Sequence, residues 1–207
     1  MEFLKPEEIE KKSFEIIEKE LGNLSVSGGE REVIKRAAHA TADIEFAKGI
    51  IFHPDAVKKG ILTLKSGSDI VTDVEMVKAG IRKRELETSG NKVYCFLNDE
   101  KVIKDAKLKN IPRAVLAIRY AVSHIDGGIV VIGNAPTALF ELVELIREEK
   151  VSPALVIGIP VGFVGAEESK NALRRLSVPH ITNEGKRGGS AAATAIVNAI
   201  IKLAVNS

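Results

Sequence analysis

Apolar residues along this chain change their spacing several times, and each change marks an element. Near the N-terminus Phe3, Leu4, Ile9, Phe14, Ile16, Ile17 and Leu21 recur at imperfect helical intervals and stop at Gly22-Asn23. They predict a helical segment over about residues 1–24, with Ser13 inside it. A second helix starts after Ser27, whose distance in sequence to Glu30 suits a capping box, and continues through Val33, Ala37, Ala40, Ile44 and Ala47. The middle of the chain mixes short strands and helices: GILTLKSG, then DIVTD followed by VEMVKAGI, then KVYCFLND. The pattern then becomes regular. A helix over 112–124 opened by Pro112 is followed by strand 129–132, helix 136–149, strand 154–159 and helix 166–176. The closing GGSAAATAIVNAIIKLAV is an Ala-rich helix whose small residues suit close packing against a sheet or a second subunit.

This succession predicts an α/β fold with a mostly parallel, Rossmann-like central sheet and helices on both faces, built as one domain over residues 1–207. In IVVIGNAPTALF (129–140) and LVIGIPVGFVGAEESK (155–170) an apolar run ends in Gly and turns into helix. Asn134, Thr137, Gly162, Phe163, Ser169 and Lys170 are thereby placed at one edge of the sheet, where open α/β folds hold ligands.

Charge narrows the choice of ligand. With 30 basic and 28 acidic residues the net charge is +2, so no dominant cationic field points to nucleic acid, and the 4% aromatic content without tryptophan removes the usual base-stacking platforms. No stretch reaches the roughly 18 to 20 apolar residues of a membrane span, and the first residues lack a signal-peptide apolar segment, which predicts a cytoplasmic protein without a membrane partner. The single Cys95 excludes an internal disulfide framework, and its neighbours VYCFL give it the look of a buried strand residue. No His-x-x-x-His, Cys-x-x-Cys or Glu-x-x-His cluster occurs, so no structural metal is expected. Neither G-x-G-x-x-G nor G-x-x-x-x-G-K-[ST] is present.

Among four histidines His39 is the sharpest candidate. Arg36 precedes it by three residues and Asp43 follows by four, which puts all three on one face of a continuous helix and lets Asp43 fix the imidazole tautomer. By spacing alone, an ordinary ion-pair network on an exposed helix is the better description. His53 and His124 read as turn or helix-end residues, and His180, after Pro179, as part of a strand or a loop. Asn134 and Thr137 stand at a helix start whose free N–H groups attract carboxylates or phosphates, and a second such start follows Gly165. The plain alternative is that Asn134 caps the helix and Pro136 begins it. Lys186 and Arg187, before Gly188-Gly189 and a helix start at Ser190, suit a multiply anionic ligand or a solvated turn, and Arg113 has the same two readings.

Six segments in order, KKSFEII, RAAHATADIEF, TDVEMVKAGI, IGNAPTALFEL, GIPVGFVGAEESK and GKRGGSA, resemble the precorrin-8X methylmutase family of cobalamin biosynthesis, including its cobalt-precorrin-8 branch, over nearly the whole chain. The resemblance implies an isomerase that moves a methyl group from C-11 to C-12 of a corrin precursor, giving hydrogenobyrinate or cobyrinate. No methyl donor or redox cofactor is implied, and any cobalt arrives inside the substrate. His39 of RAAH matches the family's proton donor and acceptor, while Ser13 of KKSF and Arg36 match substrate-binding residues. Arg113 matches a binding arginine, although Pro112 stands where the family commonly has Thr. Asn134, Thr137, Gly162 and Phe163 fall in loops that would hold and shape the macrocycle. A homodimer with active sites at or near the subunit interface is also implied. A non-catalytic corrinoid carrier is the alternative, and a nucleotide-dependent α/β enzyme, suggested only by fold class and Gly-rich loops, is a third reading.

Overall fold

The computed structural model describes residues 5–207, so Phe3 and Leu4 of the first apolar stripe lie outside the described residues. Helix α1 (Pro6–Leu21) ends where Gly22, at φ 63°, turns its N–H back to the Glu18 carbonyl. Only part of its stripe is used: Ile17 and Leu21 pack with Ile34, Ala38 and Ala47, whereas Ile9 and Ile16 stay exposed. Helix α2 (Gly28–Thr41) has the expected capping box, with the Glu30 N–H donating to Ser27 Oγ at 3.2 Å and the Ser27 N–H donating to the Glu30 carboxylate at 2.7 Å.

The expected continuation of α2 to Ala47 does not occur. The helix stops at Thr41, Ala42 takes a left-handed φ of 51°, and Asp43 accepts the Phe46 N–H at 2.8 Å to begin α3 (Ile44–Lys48). Thr41 Oγ1 meanwhile accepts the Asp43 N–H at 3.3 Å. Short polar side chains that bond the nearby backbone offer it an alternative to continued helix, and Thr41 and Asp43 both do so here.

After α3 the chain forms β1 (Ile50–Phe52), a strand the apolar pattern did not reveal, and then α4 (Ala56–Lys65), which absorbs most of GILTLKSG. Next come β2 (Ile70–Thr72), α5 (Glu75–Gly80), α6 (Lys83–Leu86) and β3 (Val93–Tyr94). Cys95 lies just past β3 and is half-buried rather than fully enclosed in a strand, and burial pushes its thiol pKa up. Helix α7 (Glu100–Lys109) follows, and the single helix expected over 112–124 is two, α8 (Arg113–Tyr120) and α9 (Val122–Ile125), with Pro112 just outside the first turn. The remaining elements match the apolar periodicity closely: β4 (Ile129–Ile132), α10 (Pro136–Arg147), β5 (Leu155–Gly158), α11 (Ala166–Arg174), β6 (His180–Asn183) and α12 (Ser190–Asn206).

The six strands form one sheet in the order β1-β6-β5-β4-β2-β3, parallel except for β1, which pairs antiparallel with β6 at the edge. Taken alone, the five parallel strands follow the doubly wound order 2-1-3-4-5 rather than the six-strand nucleotide-binding order. Alternate strand residues face two separate cores. Ile129, Val131 and Ile157 pack with α2, α4, α5 and α12, while Val130, Ile132 and Val156 pack with α8, α10 and α11. Coverage on both faces explains why β4 and β5 are unbroken apolar runs.

Helix α12 lies against the sheet, and its start is pressed onto Gly133. A Cβ at position 133 would come within 2.9 Å of the Ser190 Cα and 3.0 Å of the Ala193 Cβ, so only glycine permits this contact. Strand order reverses between β2 and β4, and the carboxyl ends of these two strands form the crevice where doubly wound folds usually bind ligands.

Candidate active site

That crevice is already filled from within. Asp73, the residue after β2, is fully buried and accepts backbone N–H groups from Gly133 (3.0 Å), Asn134 (2.8 Å) and Ala135 (2.7 Å) at the start of α10. Burial pushes its carboxyl pKa up against the opposing pull of those three donors. The free N–H groups expected to attract an external anion are thus taken by a side chain about sixty residues earlier. Pro136 begins the helix as expected, but Asn134 does not cap it; the capping position is Ala135, and Asn134 and Thr137 are exposed beside it. At the second start, Gly165 precedes α11 at φ 79° and the helix brings its own Glu167 and Glu168 to the first turn. Ser169 and Lys170 are not displayed at the edge at all but fully buried.

A cleft of about 220 Å³ opens instead between the end of α2, the first turns of α12 and Arg82. His39, Arg36, Arg82, Thr194, Asn198 and Lys202 line it. His39 is exposed on the last turn of α2, and Phe14 of α1 stacks on its ring at 5.0 Å between centroids. One turn earlier, Arg36 places its guanidinium 4.4 Å from the centroid of the same Phe14 ring and pairs with Glu10 at 2.7 Å, an ion pair that holds the Glu10 carboxyl below its usual range. Helix α1 is held on α2 by this contact and by Glu18, which meets Arg31 at 2.6 Å and Lys35 at 3.4 Å. On the far wall, Asn198 accepts the Arg82 N–H at 3.0 Å and donates to the Gly80 carbonyl at 2.9 Å, tying the end of α5 to α12. Arg36 and Lys202 also border a broader groove of about 600 Å³ that runs past Phe14 between α1 and α2.

Asp43 does not share the His39 face, because α2 breaks before it. Its carboxylate caps α3 and meets Arg187, at 3.2 Å, from the loop that leads into α12. Ser13 is half-buried next to Phe14, and its hydroxyl donates to the Ile9 carbonyl at 2.8 Å. Gly162, at φ 154°, donates its N–H to the Lys186 carbonyl at 3.1 Å. Phe163 is 88% exposed, with the Lys186 ammonium 5.3 Å from its ring centroid. Gly162 and Phe163 thus border the loop that leads into α12, whereas Ser13 stays on α1. Arg113 is different: it is exposed at the start of α8, across the sheet from His39.

The other three histidines all have ring nitrogens engaged. His53 Nδ1 accepts the Asp55 N–H at 3.2 Å, His124 Nδ1 lies 2.8 Å from Asp69 and its ring stacks on Tyr94 at 3.9 Å, and His180 is buried with Nδ1 bonded to the Val178 carbonyl. Burial pushes the His180 pKa down. Among the described residues no hydrogen bond engages the His39 ring, and no cluster of three or more His, Cys, Asp or Glu side chains converges as a metal site would require. No helix among the described residues is long and apolar enough to cross a membrane.

Sequence reasoning missed Asp73, Arg82 and Lys202. Nothing local marks Asp73 as the acceptor at a helix start sixty residues away, and Arg82 and Lys202 line the His39 cleft only because α12 packs against both α2 and α5.

A sequence profile of the Precorrin-8X methylmutase family matches residues 8–203. A cobalt-precorrin-8 methylmutase of Priestia megaterium is 45% identical over 201 residues, covering 97% of this chain and 89% of that protein. One from Methanocaldococcus jannaschii is 49% identical over 177 residues, covering 86% and 81%. The crystal structure of a precorrin-8x methyl mutase from Thermus thermophilus superposes with a TM-score of 0.89 at 40% identity, covering 97% of both chains.

Proposed function

The chain belongs to the precorrin-8X methylmutase family, and we infer from this and from the His39 cleft that it is an isomerase of cobalamin biosynthesis, moving a methyl group from C-11 to C-12 of its corrin precursor. His39 is proposed as the proton donor and acceptor. The observation that carries this assignment is its exposure: of four histidines, it alone stands exposed in a cleft lined with cations. Protonating the macrocycle beside the migrating carbon makes the conjugated system more electron-poor and eases the shift, after which the imidazole recovers the proton. Stacking on Phe14 restrains the ring without occupying its nitrogens.

Arg36, Arg82 and Lys202 supply local positive charge for a substrate with acidic side chains, which explains how a chain of net charge +2 can hold a polyanion. The proposal extends to Ser13, Asn134, Thr137, Gly162, Phe163 and Arg113 as substrate-binding positions. A cleft of about 220 Å³ is below the usual pocket size of about 300–1,000 Å³ and takes only one edge of a macrocycle. The adjoining groove and a second subunit would supply the remaining walls, so we propose a homodimer, with residues 1–207 of each subunit acting as one domain in the cytoplasm. No separate cofactor is assigned, and the names of both curated relatives favour a substrate that already carries cobalt.

Conversion of metal-free and cobalt-loaded precursor, followed by ultraviolet-visible spectroscopy, tests the reading. His39→Ala should lower kcat by about 100-fold to 10,000-fold, the usual span for a proton-transfer group. Undiminished turnover in that variant would remove His39 from the chemistry. Tight product binding without turnover by the wild type would favour a corrinoid carrier.

A further inference from the structure

Lys170 is one of the largest fully buried side chains in the molecule, and the proton transfer has no use for it. It rises from α11 beneath the loop over 184–189. Its Nζ donates to Asn183 Oδ1 at 3.1 Å and to the Arg187 carbonyl at 2.8 Å. Asn183, the last residue of β6, donates its Nδ2 to the same Arg187 carbonyl at 2.9 Å and to the Glu184 carbonyl at 2.8 Å. The Arg187 carbonyl therefore receives two donors from below, and the loop closes around them. From the side, Gly189 donates its N–H to the Ile159 carbonyl at 2.9 Å. Gly188, at φ 151°, is pressed so close that a Cβ would stand 2.5 Å from that carbonyl oxygen.

Everything this clamp holds points to the substrate side. The outer surface of the loop carries Lys186 over Phe163 and Arg187 against Asp43, directly after α2. Its end becomes the first turn of α12, which supplies Ala191 and Thr194 to the His39 cleft. A buried ammonium is costly unless it is hydrogen-bonded, and a purely structural plug in this position could have been apolar. A lysine here instead ties one loop carbonyl, that of Arg187, to the Asn183 side chain at the end of β6, in a loop that contains three glycines at positive φ and would otherwise sample many conformations.

We propose that Lys170 is a positioning residue for substrate binding, acting through the Arg187 carbonyl to hold the 184–189 loop and its two cations in place for the carboxylates of the corrinoid. The proposal rests on the function inferred above. Loss of the clamp costs binding rather than chemistry, since His39 stands on a different helix.

The test is a double-mutant cycle of Lys170→Met and Arg187→Ala, read by product titration and by steady-state kinetics, with amide hydrogen exchange of residues 184–189 measured on the free protein. K170M should weaken product binding and raise KM by about tenfold, the scale of a lost charged hydrogen bond, and leave kcat within about twofold. In the R187A background the same substitution should weaken binding by clearly less than in the wild-type background, because one of the two cations that the clamp positions is already gone and only Lys186 remains to be misplaced. Exchange at 184–189 should quicken in K170M. Should K170M fail to fold, Asn183→Ala severs the same clamp from the sheet side and carries the same comparison. Additive effects, a fall in kcat at unchanged KM, or unchanged loop exchange would overturn the assignment. If the wild type neither binds nor converts any corrinoid, the function fails instead, while the exchange result still decides whether Lys170 holds the loop.

Discussion

Two helix starts meet at the carboxyl edge of the sheet and satisfy their backbone in opposite ways. At α10 a buried carboxylate, Asp73, reaches across from β2 and takes three N–H groups, leaving Asn134 and Thr137 as an exposed rim. At α12 the approach is made by a buried amine, Lys170, which takes the carbonyl side of the loop and leaves Lys186 and Arg187 outside. The first turn is closed to anions because it contains one. The second displays positive charge beside the histidine cleft. Glycine-rich turns that look alike in sequence therefore divide into scaffold and binding surface according to the sign of the group buried beneath them.

The largest effect should come from emptying the first turn. Asp73→Ala orphans three backbone donors at once, one buried and two part-buried, and should cost about 3 kcal/mol or more in urea unfolding. A loss under about 1 kcal/mol would mean that water or an external anion replaces the carboxylate, and the contrast between the turns would collapse.

The amine beneath the second turn predicts a pH dependence. Burial lowers the Lys170 pKa from 10.5 to about 8, with Glu167 nearby pulling weakly the other way. Between these values the unfolded chain binds the extra proton, so stability gains as pH rises and is flat below about 8. Relative to Lys170→Met, the wild type should gain up to about 2 kcal/mol between about pH 8 and 9.5, read by denaturant melts across that range. A difference that stays constant with pH would show a lysine with an ordinary proton affinity.

Arg187→Ala should raise the KM for the corrinoid about tenfold without moving the melting temperature, since its pairing with Asp43 is exposed and exposed ion pairs contribute little. Smallest of all is Asn134→Ala. Because the side chain is exposed and caps nothing, stability should change by less than about 0.5 kcal/mol, and any effect should be confined to substrate affinity. A loss near 1 kcal/mol would restore Asn134 as a cap.

Much of the fold was legible because local rules and tertiary packing agree. The continuous apolar runs of β4 and β5 required cover on both faces, and Ser27 with Glu30 marked the start of α2 three residues apart. Failures fell where nearby polar atoms competed with the helix, as at Thr41 and Asp43, or where an element was too short to show a period, as in β1. His39 and Arg36 were recognisable from their motif, yet Asp43, which shares their helical spacing, belongs to another helix and faces Arg187.

By itself, the sequence determined the α/β succession, the capped helix that carries His39 and the family to which the chain belongs, since all three depend on residues close together or on motifs in order. Only the tertiary structure decided which turn is sealed and which is open. That choice depends on Asp73 and Lys170, one sixty residues and the other seventeen residues from the backbone groups they satisfy. A buried charge acquires its meaning from the partners that exclude water around it, and those partners are chosen by strand order and helix packing rather than by neighbours in the chain.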